Sequence, residues 1–301
     1  WTKTCLYPTS EASPYDSIQV TSEIIWGQLH VISDIFELKD NEKIAIIATE
    51  RSLQPHLPPY DYLKSMCIKL KIGDEINLSN LSTRLSESGY IKTNNIDQEG
   101  TWTRRGDIID IYPVSSELPI RLELFGDQLD KIKEFDPISQ RSLDKIDNIC
   151  ITPRGYEPLI INKLISINDK DISNLFQDDE YAELVNSNKL LSARKYLGVA
   201  FENPSSLLDY LDENAFIIVE ERLQCLSHGN AWIKIVEDSY NEEVNSLEGI
   251  KSINNIFKPN LHNDLNQIFE SLNHYKGIDI TDLEDTKTKT NVFNISSKTY
   301  Q

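Results

Sequence analysis

The chain is poor in the residue types that build metal and disulfide sites. Its four cysteines (Cys5, Cys67, Cys150 and Cys225) and five histidines are scattered over 301 residues. There is no C-x-x-C, no H-E-x-x-H and no mixed Cys/His cluster, so neither a zinc site nor a disulfide framework is expected, and reduced thiols in a cytoplasmic compartment are. No run of about 18 apolar residues exists to span a membrane, and no signal-peptide pattern opens the chain. It starts with Trp1 rather than Met, which reads as a fragment or a processed product. Positive charge is scarce as well: 30 basic against 48 acidic residues leave a formal charge of −18. Broad nucleic-acid binding needs a cationic surface that displaces counterions, and this balance argues against it. Acidity of this kind keeps a protein soluble. None of the eleven glycines lies in a G-x-x-x-x-G-K-[ST] loop, so the backbone cradle and lysine that hold nucleotide phosphates are missing. No Ser/His/Asp or Cys/His arrangement is visible either, and the chain reads as lacking an active site.

What is present suits two or three globular domains, with 39% hydrophobic and 26% charged residues. Apolar residues at Ile25, Leu29, Ile32 and Phe36 predict a helix over Ser22–Phe36, with Thr21 or Ser22 as its cap. Lys43–Thr49 is a continuous apolar run of the kind that forms a buried parallel strand. Leu57-Pro58-Pro59 interrupts regular structure. Leu78, Leu81 and Leu85 mark a further helix, with Gly89 placed to close it. Beyond Pro153-Arg154-Gly155 the pattern changes to helices and short strands: helices at Lys189–Tyr196 and Ser205–Leu211, a turn at Asp212-Glu213-Asn214, and a buried strand at Ala215–Val219. After about Glu237 the sequence turns acidic and asparagine-rich with weak periodicity. A last amphipathic helix is expected at Leu265–Tyr275, and the final twenty residues read as peripheral.

The densest signal lies in Gly100–Ser142. An alternating run, a polar Ser-Ser-Glu-Leu-Pro connection, a second alternating run and a Gly126-Asp127 turn into a third read as consecutive strands. In the second, Ile120, Leu122 and Leu124 share one face, and Arg121, Glu123 and Phe125 the other, because side chains alternate with period two. An aromatic beside an arginine on an exposed face suits protein docking. The plainer alternatives are that Arg121 pairs across the sheet and that Phe125 turns inward at a bulge near Gly126. Gly106 and Gly126 suit turn or bulge geometry, Asp127 and Asp136 suit turn closure, and Trp102 suits packing.

Three ordered elements stand in this segment: Arg105-Gly106-Asp107-Ile108-Ile109-Asp110-Ile111-Tyr112-Pro113, then Arg121-Leu122-Glu123-Leu124-Phe125-Gly126-Asp127, then Phe135-Asp136-Pro137-Ile138-Ser139-Gln140-Arg141-Ser142. They resemble the signature of the transcription-repair coupling factors (Mfd) and, more distantly, of the excision-repair protein UvrB. The Gln-Arg-Ser ending favours the coupling factors. Upstream, Ser10–Asp16 is similar to that family's W-E-x-L-P-Y-D segment, with Ser10 at the aromatic position. Downstream, Ser205–Glu221 resembles the helix and strand before the acidic motif of UvrB-like ATPases.

The resemblance implies an α/β fold of degenerate, helicase-like parallel lobes carrying an inserted antiparallel β-rich domain 2, as in UvrB. Residues 1–16 and 43–63 would form part of domain 1a, 17–42 and 64–153 domain 2, and 155–301 domain 1b. It further implies a non-catalytic module that recruits the damage sensor UvrA through Arg105, Arg121 and Phe125. Arg104, the strand neighbour of Arg105, would point to the opposite face. Glu220 and Glu221 would be a degenerate acidic motif without its P-loop. ATP and magnesium would belong to a motor outside this chain, and RNA polymerase and duplex DNA would be met by other domains. Two other functions stand beside this one. One is a UvrB-like, ATP-dependent handler of DNA damage, which needs a P-loop and a long hairpin for which the roughly five residues between Asp16 and Ser22 leave no room. The other is a relic scaffold used for intramolecular autoinhibition.

Overall fold

The computed structural model describes residues 2–16, 20–167, 184, 186, 190, 193–246 and 261–281. Strand β1 (Lys3–Leu6) leads into helix α1 (Ser22–Glu37), which forms over the predicted stretch. Thr21 takes the N-cap position with extended backbone, but its side chain makes no capping bond. Leu29 and Ile32 of α1 are fully buried in a core shared with Tyr15, Leu57, Leu63, Tyr156 and Leu159. Val31, on another side of the helix, packs with Cys5 and Tyr7. The resemblance groups this helix with the β-rich module, yet its side chains lie in the cores of the α/β part.

Strand β2 (Ile44–Ile47) pairs with β1 in parallel, as its apolar run suggests. It is not buried on both faces, since Ile47 is 59% exposed; the sheet has two strands, and its packed side meets α1. After a short helix α2 (Tyr60–Met66) the chain leaves the α/β part. Strand β3 (Ile68–Lys71) is followed by helix α3 (Leu78–Glu87). The Asn77 side chain accepts the Asn80 N–H at 2.9 Å and caps the start of α3. Its end is a Schellman turn: Gly89 sits at φ +87°, its N–H reaches Ser86 O at 3.0 Å, and Tyr90 N–H reaches Leu85 O at 3.0 Å.

A six-stranded sheet follows in sequence order: β4 (Ile91–Lys92), β5 (Thr101–Arg105), β6 (Ile108–Tyr112), β7 (Ile120–Phe125), β8 (Gln128–Phe135) and β9 (Ser142–Ile146). The first alternating run is thus a hairpin rather than one strand, folding back at Gly106-Asp107. Gly106 and Gly126 lie at φ +63° and +64° while the aspartate after each does not, the pattern of a two-residue type II′ turn. Strand β10 (Asn148–Ile151) returns to pair with β3. Trp102, Ile109, Ile111, Ile120, Leu122 and Ile132 from the sheet form a second core with Leu81 and Leu85 of α3 and Ile68 and Ile151 of the β3–β10 pair.

Helix α4 (Glu157–Ser166) re-enters the first core. Of the helix expected at Lys189–Tyr196, the described run Ala193–Tyr196 is a 3₁₀ turn. The expected helix at Ser205–Leu211 is also a 3₁₀ turn, Leu207–Tyr210, closed by a Ser206/Asp209 capping box. Strand β11 (Phe216–Glu220) pairs in parallel with β12 (Lys276–Ile280), and like β2 it is covered on one side only: Val219 is buried while Phe216 and Ile218 are exposed. Between them run helices α5 (Arg222–Ser246) and α6 (Leu265–Ser271). Helix α5 spans 25 residues, including the acidic stretch whose weak periodicity announced no helix. It is anchored by Trp232 and Val236 and leaves most other positions to solvent. The final twenty residues lie outside the described ones. No helix among the described residues is long and apolar enough to cross a membrane.

Two stability predictions follow from local geometry. Ala at Gly126 meets no atom within 4 Å and is strained only by its positive φ, so it should cost about 1–2 kcal/mol. At Gly100 a Cβ would also lie 2.4 Å from Arg154 Nε, so urea denaturation should find Gly100→Ala the more destabilised variant. His56, bonded to the Tyr7 hydroxyl at 2.6 Å, has its pKa lowered by burial to about 4. It is neutral when folded, and the unfolded chain takes up its proton first. Stability should therefore fall by about 1–3 kcal/mol as pH drops from 6.5 towards 4, and His56→Gln should flatten that slope.

Candidate functional site

The register of the six-stranded sheet decides which side chains share a face. Directly opposed residues in an antiparallel pair lie on the same side. Arg105 opposes Ile108, Ile108 opposes Glu123, and Glu123 opposes Lys131; Asp110 opposes Arg121, and Arg121 opposes Lys133. Arg105, Arg121 and Phe125 therefore leave one face, opposite the core that Ile109, Leu122 and Ile132 fill. Arg104, paired with Ile109, belongs to the other side.

The three positions differ in what they offer. Phe125, the last residue of β7, is 83% exposed. The sheet does carry an irregularity here, but the extra residue is Asp130 on β8: Glu123 pairs with Lys131 and Leu124 with Leu129. Alternation along β7 is kept, and Phe125 points outward. Arg105, exposed at the end of β5, donates one guanidinium N–H to Asn94 O at 2.9 Å and has no carboxylate partner among the described residues. The two hairpin ends that display them are joined by the Leu124 N–H bond to Asp107 O at 3.0 Å. Arg121 lies about 13 Å from Phe125 along the strand, four residues at about 3.3 Å each.

Arg121 is already engaged. Its fork holds Asp110 bidentately, Nε to Oδ1 at 2.7 Å and Nη2 to Oδ2 at 2.9 Å. The guanidinium also sits 4.8 Å from the centre of the Phe135 ring. The bond to Asp110 raises the arginine's pKa above its ordinary value. Asp110 is 3% exposed and Phe135 fully buried, so this stretch of the face is closed rather than open. The segment leading into β5 helps to close it: Arg105 binds Asn94 O, the Gln140 side chain binds Ile96 O at 3.1 Å, Thr101 Oγ1 binds Gln98 O, and Ile96 is buried.

One exposed residue escaped the sequence reading. Ile138 is 93% exposed in the loop after β8. That loop is held by Ser139 N–H to Asp136 Oδ1 at 2.6 Å and Gln140 N–H to Asp136 O at 2.8 Å, with Gln140 at φ +58°. An isoleucine inside an otherwise polar turn motif is the signal that could have found it.

Glu220 and Glu221 sit at the junction of β11 and α5. The Glu221 carbonyl accepts Gln224 N–H and Cys225 N–H at 2.9 and 3.0 Å, its own N–H reaches Ile280 O at 2.8 Å, and its carboxylate accepts the Thr281 hydroxyl at 3.4 Å. The pair thus ends a strand and starts a helix. Among the described residues no three His, Cys, Asp or Glu side chains gather as metal ligands.

Residues 68–156 match the UvrB interaction domain family, and all three sequence elements fall inside that segment. The chain is also similar to the transcription-repair-coupling factor of Bacillus subtilis strain 168, 30% identical over 236 residues, 72% of this chain and 20% of that protein. The Haemophilus influenzae Rd protein of the same name is 29% identical over 226 residues, 73% of this chain and 19% of its own length. That of Escherichia coli K12 is 30% identical over 148 residues, 49% of this chain. The chain spans about a fifth of the length of the first two.

Removing Arg121 should test the fold before it tests any partner. Arg121→Ala strands the Asp110 carboxylate in a closed site and is expected to cost about 3 kcal/mol in chemical denaturation. Arg105→Ala and Phe125→Ala, both exposed, should stay within about 0.5 kcal/mol.

Proposed function

We propose that this chain, which carries a UvrB interaction domain and is homologous to a region of the transcription-repair-coupling factors, is a non-catalytic docking module that recruits UvrA. The observation that carries this reading is the exposed Phe125 ring on the same face as Arg105, which has no carboxylate partner among the described residues, on hairpin ends fixed to one another. An exposed phenylalanine on a rigid turn supplies apolar area that desolvates on docking without ordering a loop, and interface energy concentrates in such anchors. Arg105 brings an always-charged fork suited to a carboxylate on the partner. Arg121 contributes differently: with its fork held by Asp110, it offers the partner an edge of its guanidinium and mainly keeps the face in shape.

In the longer proteins to which the chain is similar, this module would link a stalled RNA polymerase to excision repair. Duplex DNA, ATP and magnesium would be handled by domains other than this one, in the cytoplasm. The net charge of −18 fits a part that binds protein rather than DNA.

Calorimetric titration with purified UvrA tests the reading. Phe125→Ala and Arg105→Glu should each weaken binding by about 2 kcal/mol or more, with unchanged denaturation midpoints, while Arg104→Glu should bind like the parent chain. Full affinity in both Phe125→Ala and Arg105→Glu would remove the site from this face. No binding by the parent chain would remove UvrA as the partner.

A further inference from the structure

The α/β part contains a cleft walled by two arginines that have no ion pair among the described residues. A cavity of about 270 Å³ opens beside the start of α1, with Asp16, Ser22, Arg154, Tyr156, Glu157 and Arg194 on its walls. A narrower pocket of about 50 Å³ shares Tyr156 and Arg194 with it and continues to His56 and Arg51. Arg51 is ion-paired with Glu11. Arg194 has neither an ion pair nor a side-chain hydrogen bond among the described residues. Burial depresses its pKa to about 10, against a weaker attraction from Asp16.

Arg154 is held in place from two sides. Its guanidinium lies 5.8 Å from the centre of the Trp26 ring, and its Nε presses on Gly100, where a side chain would collide with it. That Nε is buried and has no hydrogen-bond partner. The Tyr156 hydroxyl, in a residue only 5% exposed, interacts with the Tyr7 hydroxyl without a well-formed hydrogen bond, while Tyr7 is bonded to His56. The two acids on the wall do not resolve this. Asp16, whose carboxylate accepts the Ser13 N–H at 2.9 Å, attracts Arg194, and Glu157, its pKa raised by burial against the attraction of Arg154, lies on the same wall. Neither is ion-paired with either arginine. The first amides of α1 add donors, since Thr21 places no side-chain oxygen on them.

Two half-buried guanidinium groups without an ion pair among the described residues, one of them with a buried Nε that lacks a partner, are stabilised by an acceptor-rich anion beside them. A tetrahedral oxyanion matches the arginine fork and accepts from several donors at once. We propose that this cleft binds a phosphate-class oxyanion, held by Arg194 and Arg154 with the Tyr156 hydroxyl and the start of α1. The site lies in the α/β part, away from the docking face, and does not depend on the function proposed above.

Free phosphate and a phosphate carried on a larger molecule present the same oxygens, so inorganic phosphate and ribose 5-phosphate are titrated separately by calorimetry, with chloride holding ionic strength constant. At least one should bind saturably, ribose 5-phosphate alone if the anion arrives on a larger molecule. That binding should weaken at least tenfold in both Arg194→Met and Arg154→Met, and partly recover in Arg194→Lys. Far-UV circular dichroism confirms that each variant is folded. Without ligand, Arg194→Met should melt no lower than the parent chain, because it removes a half-buried charge that has no ion pair among the described residues, but it should lose the phosphate-dependent rise in melting temperature. Absence of saturable binding by either compound, or equal binding by both methionine variants, overturns the proposal.

Discussion

The β-rich module depends on its strand register. A slip of one residue between neighbouring strands exchanges the two faces of a sheet, and here the exchange would put Ile109, Leu122 and Ile132 in water and Arg121 and Asp110 in the core. Two Gly-Asp turns guard against this: each joins its strands through a two-residue loop that permits one pairing. The irregularity at Asp130 is placed on β8, so β7, which displays Arg121 and Phe125, keeps strict alternation. The apolar core on one side and the outward-facing residues Arg105, Arg121 and Phe125 on the other are two results of the same hydrogen-bond ladder.

The closed part of the face follows from that ladder. Asp110 and Arg121 are directly opposed, which brings a fork and a carboxylate into bidentate reach without either side chain having to search for the other. The aromatic ring of Phe135 beneath the guanidinium and the 94–98 segment tied across the strands turn a polar surface into a small, fully bonded polar layer. Networks of this kind specify one arrangement when every member is satisfied. Exposed groups remain at the hairpin ends, in the loop at Ile138 and along the edge strand β9.

Much of this was readable in the sequence wherever local chemistry decides structure. The period-two pattern of Ile120–Phe125, the Gly126-Asp127 turn, the Leu78–Leu85 stripe and the role of Gly89 all depend on residues within a few positions of one another. What was not readable depends on distant ones. That Arg121 would meet Asp110 required knowing that the first alternating run folds back at Gly106, a split that the continuous pattern of apolar residues concealed. That β2 and β11 are half-covered required knowing that each sits in a two-stranded sheet. Helix α5 was missed because only a few of its residues, Trp232 and Val236 among them, are buried, so its pattern is too sparse to announce a helix. The cleft at Arg194 draws its walls from four separate stretches of chain.

The way the module is inserted has a consequence for the order of events during synthesis. Its core is complete once Ile151 has left the ribosome, because every member lies between Ile68 and Ile151. The core of the α/β part combines Tyr15–Leu63 with residues as late as Leu261. At about 5–20 residues per second, the finished module waits roughly 5–20 s for the last of them. Over that interval the Leu29 and Ile32 side of α1 lacks its latest partners, from Tyr196 to Leu261, although Val31 can already meet Cys5 and Tyr7. The nascent chain therefore passes through a state with one half folded and the other open, and its exposure to chaperones and to wrong partners is set by the length of sequence after the insertion rather than by the stability of either part.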